Sequence, residues 1–486
     1  MNAPPVIMWF RQDLRLTDNA ALLAAIATGG PVVPVYVLDL DAPGSWAPGG
    51  ASRWWLHHSL AALAKDLERL GSRLIFQRGP TRTKLAQLAE KVGAEAVYCT
   101  RAYQPWARAL EEELQSVLKA DGRALKRYAG ALLFEPEDVA TNAGEPFRVF
   151  TPFARKAMSG AQPRAPRPAP AHVPAPSRWP GSDKLGDFEL LPTKPDWAGG
   201  LRAAWTPGEL GARQRIETFL SDTLAGYRDH RDRPDLSGTS RLSPHLHHGE
   251  ISPHACWHMA GAAAEAAGRL GAGLETFRKE LLWREFSYHL LVHFPDLPTK
   301  PFRPEFAAFP WADDAHGLAA WQRGKTGYPS VDAGMRELWT TGWMHNRVRM
   351  IVASFLVKDL RIPWQSGARW FWDTLVDADL ANNSASWQWV AGCGADAAPY
   401  FRIFNPVTQS QKFDPDGTYI RRWLPELRRL ATEHIHAPWM APKQALDAAG
   451  VQLGHNYPSP IVDHAAARKE ALAAFSSVKG GIVTRA

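Results

Sequence analysis

The sequence predicts two structural parts, an N-terminal α/β domain built on a five-stranded, parallel, doubly wound sheet and a larger all-α C-terminal domain. Three observations predict this division. Short apolar runs alternate with helical patterns over residues 1–130, which is typical of a parallel sheet covered on both faces. Seven prolines in residues 163–180 favour an extended conformation, so residues 131–200 are expected to form a long Pro-rich connector. Residues 201–475 are helical in pattern, and residues 476–486 form a short tail.

Four buried strands and three amphipathic helices can be placed in the N-terminal part. The strands are Val6–Phe10, Val32–Val37, Leu74–Phe76 and Ala96–Cys99, and the helices cover residues 52–70, 82–92 and 106–120. Parallel sheets bind ligands beyond the carboxyl ends of their strands. After the first strand, however, the glycine fingerprint of dinucleotide-binding sheets is replaced by Arg11, Asp13, Arg15, Asp18 and Asn19. An ordinary dinucleotide site is therefore not expected there.

Composition restricts the partners and the compartment. The net charge of +7 favours an anionic partner, although a basic surface that binds nothing fits it as well. Three widely spaced cysteines give no disulfide framework and too few thiolates for a four-cysteine iron–sulfur cluster, which indicates a reducing compartment. The sequence shows no signal stretch and no apolar run of about 18 residues. We expect a cytoplasmic protein without a membrane segment.

Tryptophan is the unusual component, with 21 Trp against 10 Tyr. Six of the tryptophans lie in residues 342–413, beside an Asp-x-Asp pair and two adjacent asparagines in an otherwise helical pattern. Buried polar groups without partners cost about 1–3 kcal/mol each, so a flat polar ligand is expected in this region. The alternative for the indoles is ordinary core packing.

Two shorter segments also suggest a ligand. Gly238–Arg241 combines hydroxyls, backbone amides and a guanidinium, which suits a phosphate or pyrophosphate, although an ordinary helix cap explains the same residues. Glu280 and Trp283 are three residues apart and share one helix face, where they could hydrogen-bond and stack a flat ligand. In isolation, a half-buried indole beside a solvated carboxylate explains this second pair.

A helix over Gly342–Leu360 is expected to carry Trp343, Asn346 and Met350 in one stripe. Asp377 and Asp379 could pair with Arg349 or with a ligand hydroxyl. By contrast, Trp387 and Trp389 are two residues apart, so on a helix they point to roughly opposite sides and cannot serve one pocket.

Two motifs are rejected. Gly324–Thr326 ends like a P-loop, but Ala319 stands where the first glycine is required. The histidines and the cysteine of residues 245–258 do not have the paired spacing of a closed zinc site, so no metal is expected.

Taken together, the motifs resemble those of the DNA photolyase/cryptochrome family, closest to bacterial photolyases of class I or class III. The resemblance covers nearly the whole chain, and its specific blocks are residues 9–22, 238–253, 280–286, 324–350 and 377–417. It implies an antenna-chromophore function for the α/β domain and a bent FAD in the helical domain. The implied activity is light-dependent repair of cyclobutane pyrimidine dimers in DNA, in which photoexcited reduced FAD gives an electron to the flipped-out dimer.

The resemblance also assigns residues. It places the FAD against Tyr227, Thr239, Ser240, Arg241, Leu242, Ser243, Asn346, Arg349, Asp377 and Asp379. It places Asn383 opposite flavin N5, where plant cryptochromes have Asp. An amide at this position suits a reduced, anionic flavin. The resemblance lines the lesion pocket with Glu280, Trp283, Asn346, Met350 and Trp389, and Met350 distinguishes this pocket from that of the (6-4) enzymes. It places Arg231, Arg347, Arg402 and Lys412 near DNA phosphates, and Trp387, Trp364 and Trp311 in an electron-transfer chain from flavin to surface.

Two alternatives to repair remain. The first is a cryptochrome-type photoreceptor without repair activity, which Asn383, the complete lesion pocket and the lack of a C-terminal extension disfavour. The second is a dark flavin oxidoreductase, which the missing nicotinamide fingerprint disfavours. For the antenna, Tyr103 and Trp106 offer an aromatic wall to either a folate or a deazaflavin. Residues 49–60 resemble the folate-binding branches of the family, which favours methenyltetrahydrofolate over 8-hydroxydeazaflavin. We expect a monomer with UV-damaged DNA as its partner and no obligate protein partner.

Overall fold

The computed structural model describes residues 3–160, 162–268, 271–397 and 401–480. Its one sheet contains five parallel strands in the order β3-β2-β1-β4-β5. The strands are β1 (Val6–Phe10), β2 (Val32–Leu38), β3 (Ile75–Arg78), β4 (Ala96–Thr100) and β5 (Ala124–Tyr128). The predicted fold class is thereby confirmed. β5 has no apolar run that could locate it in the sequence, because it lies at the sheet edge with largely exposed side chains.

Helices cover both faces of this sheet, as a doubly wound fold requires. They are α1 (Ala20–Ile26), α2 (Gly50–Arg69), α3 (Thr81–Val92) and α4 (Pro105–Ala120). Val6, Met8 and Phe10 point to one face and pack in a core with leucines of α2, while Ile7 and Trp9 point to the other face and pack with leucines of α3 and α4. The alternation follows from the two-residue side-chain period of a strand.

The carboxyl ends of β1 and β4, where the strand order reverses, carry a network of polar side chains. Thr100 donates its hydroxyl to Asp13 Oδ2 at 2.7 Å, and Arg11 Nη2 lies 2.6 Å from Glu111 Oε1. The buried Arg15 guanidinium donates to the carbonyls of Gly249 and Gly130, both at 2.9 Å. These polar groups therefore bind one another at the position where a dinucleotide-binding sheet would present a glycine loop.

Among its described residues, the predicted connector contains a regular helix that the sequence pattern did not locate, α5 (Phe150–Ser159). Its aromatic residues Phe150 and Phe153 are three residues apart and both buried, which is the helical spacing. Around α5 the backbone is mostly irregular, with short 3₁₀ turns at Pro136–Asp138 and Leu185–Phe188.

The rest of the chain is helical, as predicted. The first group is α6 (Gly199–Ala204), α7 (Glu209–Asp222), α8 (Tyr227–His230), α9 (Ser243–His247), α10 (Pro253–Ala266) and α11 (Ala272–His293). The second group is α12 (Ala315–Gln322), α13 (Pro329–Thr341), α14 (Asn346–Ser354), α15 (Trp364–Thr374), α16 (Leu380–Ala391) and α17 (Pro406–Phe413). The third group is α18 (Thr418–Trp423), α19 (Thr432–Ile435), α20 (Lys443–Ala449) and α21 (His464–Gly480).

Two expectations about helix ends are corrected. The helix predicted to contain Gly342–Leu360 begins only at Asn346, because the ring of His345 caps it by accepting from the backbone N–H of Arg347 at 3.2 Å. Trp343 therefore precedes the helix and does not share its stripe. At the other end of the chain, α21 continues to Gly480, so part of the predicted tail is helical, while residues 481–486 lie outside the described ranges.

The chain divides into two compact units. Unit 1 comprises residues 1–225, 240–295 and 376–381, and unit 2 comprises residues 226–239, 296–375 and 382–486. Among the helices described here, none is both long and apolar enough to cross a membrane.

Candidate functional site

In unit 1, α11 carries Glu280 and Trp283 on one face, and both side chains are only partly buried. The Trp283 ring lies parallel to the ring of Phe150 from α5, with the ring centroids 3.6 Å apart and an angle of 7° between the planes. The helix therefore presents a carboxylate and an indole together, and a neighbouring helix supports the indole. This arrangement is consistent with the prediction that Glu280 and Trp283 share one helix face.

Asp379 lies in a buried polar cluster of unit 1. The Tyr288 hydroxyl donates to Asp379 Oδ2, and His247 Nδ1 lies 3.5 Å from the same oxygen. Burial opposes ionisation of this carboxyl, but the hydrogen bond and charge of His247, the charge of Arg284 and the Tyr288 hydroxyl together lower the pKa of Asp379. Burial, followed by the Asp379 charge, raises the pKa of Tyr288 well above its ordinary value. The cluster thus holds an anionic carboxylate beside a neutral phenol.

Arg284 and Glu285 continue this buried charge network along α11. Arg284 Nη1 lies 3.1 Å from Glu285 Oε1, and the guanidinium lies 4.9 Å from the centroid of the Tyr288 ring. Glu285 Oε2 accepts from the backbone N–H groups of Leu133 and Phe134 at 2.8 and 3.2 Å. Burial raises the pKa of Glu285 to about 7, against the lowering effect of Arg284 and these N–H groups.

The predicted phosphate-binding loop divides between the two units after Thr239. On the unit 1 side, Arg241 has a positive φ of 51°, and its guanidinium lies 4.4 Å from the centroid of the Trp205 ring. The Leu242 N–H donates to Ser240 Oγ at 3.4 Å, and Ser243 begins α9. An arginine in the left-handed region is uncommon, and such strain is often found at functional sites.

Asn346, Arg347, Arg349 and Met350 lie on α14 in unit 2. Asn346 is exposed at the first helical position, whereas Met350 is partly buried. Arg349 Nε donates to the Met344 carbonyl at 2.8 Å. These side chains are brought together by their positions on one short helix.

Arg347 has an acidic partner that the sequence did not reveal. Its Nη2 lies 2.8 Å from Asp232 Oδ2, and its guanidinium lies 4.4 Å from the centroid of the Phe413 ring. Next to it, burial lowers the pKa of His345 to about 4, with the nearby arginines adding to that effect and Asp232 opposing it. His345 is therefore a neutral cap at neutral pH.

α16 carries Asn383, Trp387 and Trp389. Asn383 Nδ2 donates to the Ala368 carbonyl of α15 at 3.0 Å, which fixes the orientation of the buried amide. Trp387 is 2% exposed and packs on Phe371, whereas Trp389 is only partly buried. The different environments of the two indoles are consistent with the expectation that they do not serve one pocket. Trp387 also lies against Gly367, where a Cβ would come within 2.1 Å of the indole.

The other two tryptophans of the predicted electron-transfer chain, Trp364 and Trp311, lie close together in unit 2. Trp364 is buried at the start of α15, Trp311 is partly exposed, and both line one open surface depression. Trp311 also lies 4.4 Å from the Phe309 ring, measured between centroids. Trp364 and Gly367 both lie on α15. This helix therefore lines the depression through Trp364 and contacts Trp387 through Gly367.

The remaining predicted cations of unit 2 lie against aromatic rings. The Arg402 guanidinium is 5.7 Å from the Trp389 centroid, and the Arg231 guanidinium is 5.8 Å from that of Tyr227. Lys412 Nζ is 5.2 Å from the Phe413 centroid. Arg402 and Lys412 are exposed and Arg231 is partly exposed, so solvent reaches all three.

The dense histidines of residues 245–258 have structural partners. His245 pairs with Glu250, and Glu250 also accepts from the Trp55 indole at 2.9 Å. His248 Nε2 lies 3.2 Å from the Val376 carbonyl. Over the described ranges, no group of three or more His, Cys, Asp and Glu side chains is arranged to hold a metal ion.

Four residues at these positions were not found from the sequence: Phe150, Tyr288, Asp232 and Gly367. The aromatic spacing in Phe150–Phe153 was a usable helical signal. The other three act through partners that are distant in sequence, for which one sequence carries no signal.

Known proteins resemble this chain over its full length. Residues 6–174 match the family model for DNA photolyase, and residues 277–477 match that for the FAD binding domain of DNA photolyase. The deoxyribodipyrimidine photo-lyase of Agrobacterium fabrum is 52% identical over 481 residues, which cover 99% of each chain. Cryptochrome-1 of Arabidopsis thaliana is 40% identical over 95% of this chain and 69% of its own length. The crystal structure of a class III photolyase from Agrobacterium tumefaciens superposes with a TM-score of 0.95 at 52% identity, covering 99% of this chain and 98% of its own.

Proposed function

Because the chain belongs to the DNA photolyase family, we infer that it is a deoxyribodipyrimidine photo-lyase. It is an enzyme that repairs cyclobutane pyrimidine dimers in DNA by light-driven electron transfer. The observation that carries this conclusion is the end-to-end identity of 52% with a curated deoxyribodipyrimidine photo-lyase. We further propose that it is a class III enzyme, as its structural relative from Agrobacterium tumefaciens is named.

FAD is the cofactor of the matched family model, and the side chains present here suit it. A flavin with a ribityl chain and a pyrophosphate needs hydrogen-bonding carboxylates and amides, together with cationic groups. Asp379 is a buried carboxylate held as an anion, Asn383 is a buried amide fixed by Ala368, and Arg241 is a guanidinium held over an indole. The residues that would hold FAD are Tyr227, Thr239, Ser240, Arg241, Leu242, Ser243, Asn346, Arg349, Asp377, Asp379 and Asn383.

Reduced FAD, when bound and illuminated, supplies the electron that opens the cyclobutane ring. The protein contributes binding, orientation and electrostatics. Trp283 and Trp389 each offer a ring to the bases of a flipped-out dimer, where stacking is worth about 1–3 kcal/mol per base. Flipping is favoured at a dimer because its bases are already poorly paired and stacked.

Glu280 is proposed to hydrogen-bond a carbonyl of the dimer and to stabilise the negative charge that the dimer gains, which is an electrostatic role. Asn346 and Met350 would line the same lesion pocket. Arg231, Arg347, Arg402 and Lys412 would bind DNA phosphates, so binding should weaken as salt is added. Trp387, Trp364 and Trp311 would pass electrons from the surface when the flavin must be re-reduced.

For the antenna, methenyltetrahydrofolate is proposed ahead of 8-hydroxydeazaflavin, on the basis of residues 49–60. The buried Tyr103 has its hydroxyl 2.8 Å from Glu135 Oε1, so its aromatic face rather than its hydroxyl is the group proposed for the chromophore. An absorption spectrum of the purified protein tests this assignment. We also propose that the protein is a cytoplasmic monomer.

The competing function is that of a photoreceptor without repair, because a plant cryptochrome is 40% identical to this chain. The two functions are separated by illuminating the reduced protein with an oligonucleotide that contains one thymine dimer. Repair predicts light-dependent loss of dimers and a marked decrease in turnover for Glu280→Gln. Dimers that persist while the flavin photoreduces normally would favour the photoreceptor.

A further inference from the structure

Phe150 makes an unusually close contact with Trp283, the indole proposed to stack on the dimer. The centroids are 3.6 Å apart and the planes differ by 7°, so the two rings lie nearly face to face. Free aromatic pairs prefer offset or edge-to-face arrangements. The surrounding helices of unit 1 must therefore impose this geometry.

The packing of α5 on α11 explains how the geometry is imposed. One turn after Phe150, the Phe153 ring packs against Phe286 and His289 of α11, with centroid distances of 5.2 Å to each. Phe286 in turn meets Phe150 and Trp283 edge-on, with both centroid distances 6.0 Å. The five rings form an aromatic ladder that fixes α5 against α11, and within it Trp283 contacts both Phe150 and Phe286.

The contact makes the two faces of the indole unequal. Phe150 is 5% exposed and covers one face of Trp283, whereas Trp283 itself is partly exposed. The exposed part of the indole must therefore belong to the opposite face and the rim. Only that opposite face can receive a base.

We infer that Phe150 is a positioning residue for dimer binding, which fixes the plane of Trp283 and leaves a single face for stacking. This inference rests on the proposed repair function. It predicts that Phe150 contributes to lesion affinity without touching the DNA. The gain comes from preorganisation, since an indole already held in place loses less freedom when the dimer binds.

The experiment replaces Phe150 by residues that keep the apolar volume but lose the flat ring. Phe150→Leu and Phe150→Met are made in parallel, and Kd is measured for an oligonucleotide with one thymine dimer and for the undamaged oligonucleotide. We expect about tenfold weaker binding of the dimer, no change for undamaged DNA, and an unchanged flavin absorption spectrum. Phe150→Tyr, which keeps the ring, should restore the affinity for the dimer.

Phe219→Leu is the matched control, because it removes a buried ring that packs on Phe277 of the same helix α11, with 4.8 Å between centroids, and lies outside the aromatic ladder. It should leave the preference for damaged DNA unchanged. In a Trp283→Leu background, Phe150→Leu should add no further loss, since the indole it positions is gone. The inference is overturned if both Phe150 variants bind the dimer as wild type does, weaken both DNAs equally, or lose the same affinity without Trp283. Failure of the repair function itself would appear differently, as absent dimer splitting by the wild-type protein.

Discussion

The ion pair between Arg347 and Asp232 gives a prediction whose sign is unusual. Arg347 is proposed to bind a DNA phosphate, yet its Nη2 already lies 2.8 Å from Asp232 Oδ2. The two side chains are 18% and 39% exposed, so the pair is partly solvated and worth at most about 1 kcal/mol. A phosphate that takes the guanidinium must displace or tolerate this carboxylate. Asp232→Asn should therefore strengthen DNA binding.

The magnitude follows from Coulomb's law. A carboxylate and a phosphate held about 6 Å apart on one guanidinium repel each other by roughly 0.7 kcal/mol in water and more at a partly shielded surface. If the phosphate instead displaces the carboxylate, the lost pairing costs at most about 1 kcal/mol, so either route predicts a gain of about 1 kcal/mol for the variant, which is about fivefold tighter binding. Arg347 would also engage the phosphate more fully, so the plot of log K against log salt should steepen by up to about 0.9.

Binding of an undamaged and a dimer-containing oligonucleotide over a series of salt concentrations measures both effects. Both DNAs should gain equally, so the discrimination in favour of the dimer stays constant. Asp235→Asn is the control, because that carboxylate pairs with Arg233 at 2.5 Å instead. Weaker binding by Asp232→Asn with a flatter salt dependence would contradict the prediction, since it would mean that Asp232 orients Arg347 for the phosphate.

Gly367, Tyr288 and His345 each have a structural role that one substitution tests. In Gly367→Ala the added Cβ would lie 2.1 Å from Trp387. We expect the variant to lose about 1–3 kcal/mol of stability in thermal unfolding and, because Trp387 is proposed to pass electrons to the flavin, to photoreduce the flavin more slowly. An unchanged melting temperature would mean that the indole moves aside freely. Tyr288→Phe removes the hydroxyl that donates to the Asp379 carboxylate, so we expect the free energy of unfolding in urea to decrease by about 1.5–3 kcal/mol. Equal stability of the variant and the wild type would show that another donor replaces the hydroxyl. Burial lowers the pKa of His345 to about 4 in the folded state, whereas the unfolded chain binds this proton below about pH 6.5. The free energy of unfolding should therefore decrease by about 3 kcal/mol as the pH falls from 6.5 to about 4. His345→Asn should remove that part of the decrease while keeping the cap, and identical pH curves for the two proteins would contradict this.

The fold class and the family could both be predicted from the order of the amino acids alone. Alternating strands and helices give a parallel sheet because each apolar run must be buried on both faces, and this pattern is local enough to read. Strand β1 was placed residue for residue, since all five of its side chains are buried. Glu280 and Trp283 could likewise be placed on one face, because helical spacing alone brings them together.

The partners of these residues, by contrast, could be identified only from the folded protein. Asp232 reaches Arg347, and Phe150 reaches Trp283, across more than a hundred residues of sequence. The start of α14 at Asn346 depended on a histidine ring acting as the cap, which ordinary capping rules do not include. The edge strand β5 was also invisible, because exposed side chains leave no apolar pattern. Local propensity and periodicity are properties of neighbouring residues, whereas these contacts are set by the packing of elements that only meet once the chain has folded.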